Sequence, residues 1–186
     1  MKQVILPMGG PQHTEETLRI AKDAAIELGI GHVVVASTQG ETAQAAARIF
    51  KNTGIRVIVV THNTGFKEPG VQEMSPEVRQ SIEEEGLTVY TGTMVLRSLG
   101  AAIRDQLGYS QQELVANTLR ILGQGMKVCA EMAAMVADAG LVPIQDIIAV
   151  AGSRQGADTA VVIYPQPSNR FFQMKVREIL VKPADW

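Results

Sequence analysis

Two short runs of β-branched residues place the strongest constraint on how this chain can fold. Val33–Ala36 and Arg56–Val60 are apolar over nearly their whole length and show no alternation with polar residues. Runs of this kind are typical of parallel strands covered on both faces. The alanine-rich segment between them, from about Thr42 to Lys51, favours a helix. Because strand, helix, strand is the repeating unit of a parallel sheet with right-handed crossovers, the sequence predicts an α/β fold.

Further elements extend this pattern along the chain. Thr14 and Ser75 are predicted to cap two helices, and Ser110 begins a capping box. Strands are also predicted at 88–90, 146–150, 159–164 and 173–182, and helices at 14–28, 75–86, 101–106 and 110–140, the last broken near 123–125. Lys175 and Arg177 lie on one face of the last strand, which favours an edge position. One domain covering residues 1–186 is expected.

Composition excludes several classes of function. The formal net charge of −2 gives no electrostatic case for binding nucleic acid. Cys129 is the only cysteine, so neither an intramolecular disulfide nor a thiolate metal site is expected. No metal-binding motif and no run of 18 apolar residues occurs, so neither a metal nor a membrane partner is predicted. A cytoplasmic protein is the expectation.

Four loops rich in glycine and small polar residues follow the predicted strands. Ligands of open parallel sheets bind beyond the carboxyl ends of the strands, where these loops meet. The first loop, Ser37–Thr42, opens a helix, and its hydroxyl and backbone N–H groups can surround an oxyanion. A tight turn with an ordinary helix cap explains the same residues. Glu41 counts against a phosphate, and the lysine of a Walker loop is absent.

The other three loops offer further polar groups. In the second loop, Thr61–Gly70, His62 is a candidate general base or ligand contact, and a surface histidine without a task is the alternative. The third loop is Thr91–Thr93. In the fourth, Gly152–Thr159, Arg154 is placed to reach a phosphate and Asp158 a hydroxyl, although a plain hairpin loop explains both.

The segments Val33–Ala43 and Arg56–Asn63 resemble the C-terminal α/β domain of pyruvate kinase. The resemblance implies a three-layer α/β/α fold with a mostly parallel sheet of five to six strands, in the order 3-2-1-4-5 with the last strand antiparallel. It also implies that the first loop binds the phosphate of a sugar-phosphate effector. Pyruvate kinase activity itself is not expected, because it belongs to a (β/α)8 barrel of roughly 250 residues.

Other motifs resemble a family of stand-alone archaeal and bacterial proteins similar to that domain. The motifs lie at 65–70, 91–93, 123–128, 137–141 and 154–160. This resemblance implies a flavin mononucleotide (FMN) ligand and no settled reaction. The residues expected at the site are Ser37, Thr38, Gln39, Gly40, Glu41, Thr42, His62, Asn63, Thr64, Gly65, Phe66, Thr91, Gly92, Thr93, Gly123, Gln124, Gly125, Lys127, Gly152, Arg154, Gly156, Asp158 and Thr159.

Three hypotheses for function follow. The first is a protein that binds FMN or a similar phosphate ester. The second is a flavin-dependent oxidoreductase in which His62 or Lys67 acts near the ring. The third is a regulatory module that senses a sugar phosphate and acts through a partner chain. In a homo-oligomer, the methionine-rich segment Met126–Met135 is a candidate interface, although core packing explains it as well.

Overall fold

The computed structural model describes residues 3–186. Seven strands and six helices follow the order β1 (Val4–Met8), α1 (Thr14–Leu28), β2 (His32–Ala36), α2 (Glu41–Phe50), β3 (Arg56–Val60), α3 (Pro76–Glu84), β4 (Thr88–Tyr90), α4 (Ser98–Leu107), α5 (Gln111–Arg120), α6 (Gln124–Asp138), β5 (Ile147–Ala151), β6 (Thr159–Tyr164) and β7 (Lys175–Asp185). Two 3₁₀ turns, Pro11–His13 and Ser168–Gln173, complete the described structure.

All the strands form one sheet in the order β1-β7-β6-β5-β2-β3-β4. The pairs β2–β3, β3–β4 and β2–β5 are parallel, and β6 runs antiparallel to both of its neighbours. The predicted order 3-2-1-4-5 corresponds to β4-β3-β2-β5-β6 and is confirmed, including the antiparallel last strand.

The end of the sheet formed by β1 and β7 differs from two predictions. The strand count is seven, because β1 adds a strand that the sequence did not predict. β1 pairs in parallel with β7, so β7 is not the edge strand. Only Leu6 of β1 is buried, and Pro7 interrupts the segment, so its sequence carries little strand pattern. Proline lacks a backbone N–H donor, which suits the edge position that β1 occupies.

The hydrophobic core lies in two layers, one on each side of the sheet. Val33 and Val35 of β2 face the layer formed by α1, α2 and α3, whereas Val34 faces α6. Helix α6 is buried along most of its length, as its apolar composition predicts. Met126 and Met135 are each 2 % exposed. The alternative role of the segment 126–135 as an exposed interface is therefore wrong, since its side chains fill the core of this chain.

The helix starts agree with the capping patterns at two of three positions. Ser75 Oγ accepts a hydrogen bond from the Val78 N–H, and Ser110 Oγ accepts one from the Glu113 N–H. Thr14 is not an N-cap, because the helix already includes it. Its hydroxyl instead accepts from the Ala157 N–H at 3.0 Å, so it joins α1 to the β5–β6 loop. Within residues 3–186, no helix has the length and hydropathy needed to cross a membrane.

Candidate functional site

A cleft of about 610 Å³ opens at the carboxyl ends of β2, β3 and β5. We call it the main cleft. Its walls come from the loops after these strands, from the start of α1 and from one face of α2. The predicted site residues that line it are Ser37, Thr38, Gln39, Glu41, Thr42, His62, Gln124, Gly152, Arg154 and Gly156. Three of the four predicted loops thus meet in one concave surface.

The first loop positions the start of α2 in the wall of the main cleft. The Ser37 N–H donates to the Val60 carbonyl at 3.0 Å, and Ser37 Oγ accepts from the Ala43 N–H at 3.2 Å. Gly40 is the N-cap and has a φ of 118°, which favours glycine. A Cβ at Gly40 would overlap Val78 of α3, so Gly40 is required for packing. Gly40 has no capping side chain, so within residues 3–186 the Ala43 N–H donates to Ser37 Oγ and the Gln44 N–H to the Gly40 carbonyl, whereas the N–H groups of Glu41 and Thr42 have no partner.

The second loop contains a charged cluster beside the main cleft. His62 Nδ1 lies 2.7 Å from Glu73 Oε2, and Lys67 Nζ lies 2.6 Å from Glu73 Oε1. Burial acts to raise the pKa of Glu73, but the hydrogen bonds and charges of Lys67 and His62 outweigh it, and the pKa is lowered below its ordinary value. The Glu73 carboxylate therefore stays ionised and holds the side chains of Lys67 and His62 at the main cleft.

An aromatic stack continues from this cluster. The ring of Phe66 is stacked on that of His62, with 3.9 Å between the ring centroids and 27° between the ring planes. The guanidinium of Arg97 lies over the Phe66 ring, 4.6 Å from its centroid. Phe66, Arg97 and Lys127 line a second cavity of about 130 Å³, which we call the small pocket. The small pocket shares Ser37, Thr38, His62 and Gln124 with the main cleft.

The third loop supports the site from outside both cavities. Thr91 Oγ1 lies 2.7 Å from Thr61 Oγ1 and accepts from Arg79 at 2.6 Å. The hydrogen bonds of Thr91 thus connect the ends of β3 and β4. Five predicted residues of the second and third loops, Asn63, Thr64, Gly65, Gly92 and Thr93, also lie outside the two linings.

The fourth loop is fastened by a buried carboxylate. Asp158 accepts hydrogen bonds from the N–H groups of Gly10 and Ser153, each at 3.1 Å, and from Thr159 Oγ1 at 2.9 Å. It is fully buried and lines neither cavity, in contrast to its predicted contact with a ligand hydroxyl. Arg154 and Gly156 do line the main cleft.

The start of α6, where a ligand-binding loop was predicted, packs closely against β6. A Cβ at Gly125 would overlap the side chain of Thr159, so glycine there allows α6 to approach the sheet. Gly123, Gly125 and Thr159 all lie outside the two cavities, whereas Gln124 and Lys127 line them. The lone thiol of Cys129 faces the core, donates to the Ala149 carbonyl, and has a pKa raised by burial.

Several cleft residues were not predicted from the sequence. Among them are Pro11, Thr14, Glu15, Arg48 and Glu73 of the main cleft and Arg97, Arg120 and Glu131 of the small pocket. Arg48 had a usable signal, because Glu41, Ala45 and Arg48 recur at helical spacing on one face of α2. Glu73 and Arg97 reach the site through contacts across the loops, for which no local pattern exists.

An open α/β sheet with a polar cleft at the carboxyl ends of its parallel strands defines the structural class of this chain. Within that class, the chain belongs to the family of the pyruvate kinase α/β domain, whose family model matches residues 15–163. This match agrees with the resemblance seen in the sequence.

Two similar solved structures are pyruvate kinases of Cryptosporidium parvum. One is 15% identical and has a TM-score of 0.44, with 87% of this chain and 24% of that chain covered. The other, in complex with ADP, is 15% identical with a TM-score of 0.42, and 97% of this chain and 25% of that chain are covered. This chain therefore spans about a quarter of the length of these pyruvate kinases.

Proposed function

We propose that this protein binds a small phosphorylated ligand, FMN, in the main cleft. The observation that carries the proposal is the start of α2, which opens onto the cleft without a capping side chain at Gly40. The aligned peptide dipoles and free N–H groups of a helix start attract an anion. The phosphate is assigned to Ser37, Thr38 and Thr42 of the lining and to Gly40, which lies outside both linings as the N-cap of α2.

The charges around the main cleft support an anionic ligand. Arg48 and Arg154 line it; Arg48 lies 3.9 Å from Glu15, whereas Arg154 forms no ion pair with any residue in the range 3–186. Of the three carboxylates in the lining, Glu15 pairs with Arg19 at 2.7 Å and Glu73 with Lys67 at 2.6 Å. Glu41 is exposed and opposes the phosphate, so the arginines have to outweigh it.

The shape of the main cleft suits a ligand with a flat ring. Its volume of about 610 Å³ falls within the range of about 300–1,000 Å³ that is usual for small-molecule sites. His62 contributes an aromatic ring to the lining, and that ring is stacked on Phe66, which lines the small pocket. Stacking on the His62 ring favours a planar, polarisable ring over the flexible carbon chain of a sugar phosphate.

A comparison of FMN with riboflavin tests the proposed phosphate site, since only FMN carries a phosphate. Quenching of flavin fluorescence gives both dissociation constants. We expect FMN to bind at least tenfold more tightly, because hydrogen bonds to a charged group contribute about 1.5–3 kcal/mol. The variant Thr42→Val is expected to lose most of this difference, and Thr118→Val, on the exposed side of α5, is the matched control. Equal affinities for FMN and riboflavin would contradict the proposal.

The His62–Glu73 pair favours a second candidate function, a flavin-dependent oxidoreductase. A carboxylate at Nδ1 orients the imidazole and leaves Nε2 as the atom that exchanges a proton with a ligand. The flavin would supply the electron chemistry. Under this hypothesis, His62→Ala abolishes turnover and retains FMN, whereas unchanged turnover removes His62 from the mechanism.

Family membership favours a third candidate, a regulatory module that senses a sugar phosphate. Its test is the mass of the protein in solution, measured by light scattering with and without sugar phosphates. A ligand-dependent change in oligomeric mass supports this role, and a constant mass with every sugar phosphate tried argues against it.

A further inference from the structure

The small pocket contains charged side chains that the proposed phosphate site does not use. Arg97, Arg120, Lys127 and Glu131 line it, together with apolar residues of α6. It opens beside the main cleft, because the two cavities share Ser37, Thr38, His62 and Gln124. A ligand group in the small pocket would therefore lie next to a ligand in the main cleft.

Lys127 and Glu131 form an ion pair at the base of the small pocket. Their side chains are only 3 % and 2 % exposed. Glu131 Oε2 accepts from Lys127, and Oε1 accepts from the Leu96 N–H at 2.7 Å, so both carboxylate oxygens are occupied. The Lys127 ammonium has three donors, and within residues 3–186 its one hydrogen-bond partner is Glu131. Buried donors normally have partners, so the remaining N–H groups call for an acceptor.

Arg97 adds a positive charge that no carboxylate neutralises. Within residues 3–186 it forms no ion pair, and its guanidinium is held over the face of Phe66. Stacking on a ring leaves the N–H edge of a guanidinium free for two parallel hydrogen bonds. Arg120 differs, because Glu113 pairs with it at 2.9 Å, and Asn117 and Gln124 accept two further hydrogen bonds from it at 2.6 and 2.8 Å.

The net charge of the small pocket follows from these pairs. Lys127 is neutralised by Glu131 and Arg120 by Glu113, so the charge of Arg97 remains. One uncompensated guanidinium and a buried ammonium with spare donors match a planar group with a single negative charge and two acceptor oxygens. The volume of about 130 Å³ is below that of a complete ligand site, which is about 300 Å³ or more. The small pocket therefore suits one end of a ligand or a very small molecule.

We propose that the small pocket is a carboxylate subsite, in which Arg97 and Lys127 bind the two oxygens. The carboxylate belongs either to the molecule whose phosphate lies at the start of α2 or to a separate small acid beside it. Only the first of these alternatives rests on the proposed phosphate site.

A matched pair of ligands tests this subsite. 3-Phosphoglycerate carries a carboxylate at the position where glycerol 3-phosphate carries a hydroxymethyl group. Calorimetric titration gives the dissociation constants of both ligands. The variant Arg97→Gln removes the uncompensated charge from a half-buried position. Arg104→Gln, on α4 and outside both linings, is the control. Acetate is titrated separately, alone and with FMN, while NMR follows the backbone amides of Leu96 and Arg97.

We expect 3-phosphoglycerate to bind at least tenfold more tightly than glycerol 3-phosphate, and Arg97→Gln to reduce this ratio to about one. Arg104→Gln should keep the ratio. Acetate should shift the NMR signals of both amides in the unchanged protein and in Arg104→Gln, but not in Arg97→Gln, if the carboxylate comes from a separate molecule. No preference for 3-phosphoglycerate together with no acetate response overturns the subsite. If FMN and glycerol 3-phosphate fail to bind while acetate binds, the phosphate site fails and the carboxylate subsite stands.

Discussion

At the scale of single residues, Glu73 shows how a buried charge organises the cleft. Its side chain is 8 % exposed, and burial alone would favour the protonated acid. Contacts with Lys67 and His62 reverse this preference and lower its pKa. The same contacts fix the Lys67 ammonium and the His62 ring at the wall of the main cleft, so Glu73 connects loop structure to the candidate chemistry.

Replacing Glu73 with Gln tests this connection through the pH dependence of stability. A pKa that is lower in the folded chain means that the unfolded chain takes up the proton first as pH falls. The stabilisation is thus complete at neutral pH and is lost as the pH falls below the ordinary value of 4.5. We expect Glu73→Gln to lower the free energy of unfolding by about 1–2 kcal/mol at neutral pH.

Urea unfolding at about pH 7 and about pH 4 measures the difference between the two proteins. The difference should shrink at the lower pH. Glu68→Gln, at an exposed position in the same loop, is the control and should change little at either pH. If Glu73→Gln lowered the free energy of unfolding by the same amount at both pH values, this would contradict the electrostatic role of Glu73.

At the scale of elements, the contact between α6 and β6 depends on the absence of a side chain at Gly125. Glycine in a helix usually lowers stability relative to alanine by about 0.5–1 kcal/mol. Here, however, an added Cβ would overlap Thr159, which is fully buried. The helix would have to move away from the sheet, and Lys127, two residues further along α6, would move with it.

Gly125→Ala is therefore expected to destabilise the protein in spite of the better helix propensity of alanine. Overpacking of a filled core costs about 1–3 kcal/mol. Chemical denaturation measures the loss, and Gly31→Ala is the control because its added Cβ meets no atom within 4 Å. A Gly125→Ala protein as stable as the parent would show that α6 and β6 are not in tight contact.

The elements differ in how far their sequences predict them. β3 and β6 have the predicted bounds because their apolar runs carry their own signal, and the hydroxyl of Ser75 caps α3 as its position before Pro76 indicates. β1 has one buried residue and gains its strand conformation from pairing with β7. Similarly, the loops that line the main cleft could be predicted from the strand ends, whereas Glu73 and Arg97 are placed by long-range contacts that no local pattern encodes.

At the scale of the whole molecule, β1 completes the sheet by covering β7. Four residues of β1 pair with β7 between Val181 and Asp185. Without β1, the part of β7 from Val181 to Asp185 would also present an open edge, so that the edge would extend over all eleven residues of β7. Exposed edges of this length pair readily with other chains.

A chain lacking residues 1–8 tests the protective role of β1. We expect a lower free energy of unfolding, because Leu6 leaves the core and the β1–β7 hydrogen bonds are lost. We also expect self-association that grows with protein concentration. Sedimentation velocity at several concentrations measures the association. If the truncated chain sedimented with the same mass distribution as the full chain at every concentration, this would contradict the protective role of β1.

The whole molecule brings the helix start of α2, two arginines and the His62 ring into one cleft. The central claim is that this cleft binds the phosphate of FMN. The most direct test is flavin absorbance in protein purified without added ligand, followed by titration of the protein with FMN. We expect flavin absorbance or saturable binding below tens of micromolar, which corresponds to about −6 kcal/mol or tighter. Protein without flavin absorbance that also fails to bind added FMN in this range would contradict it.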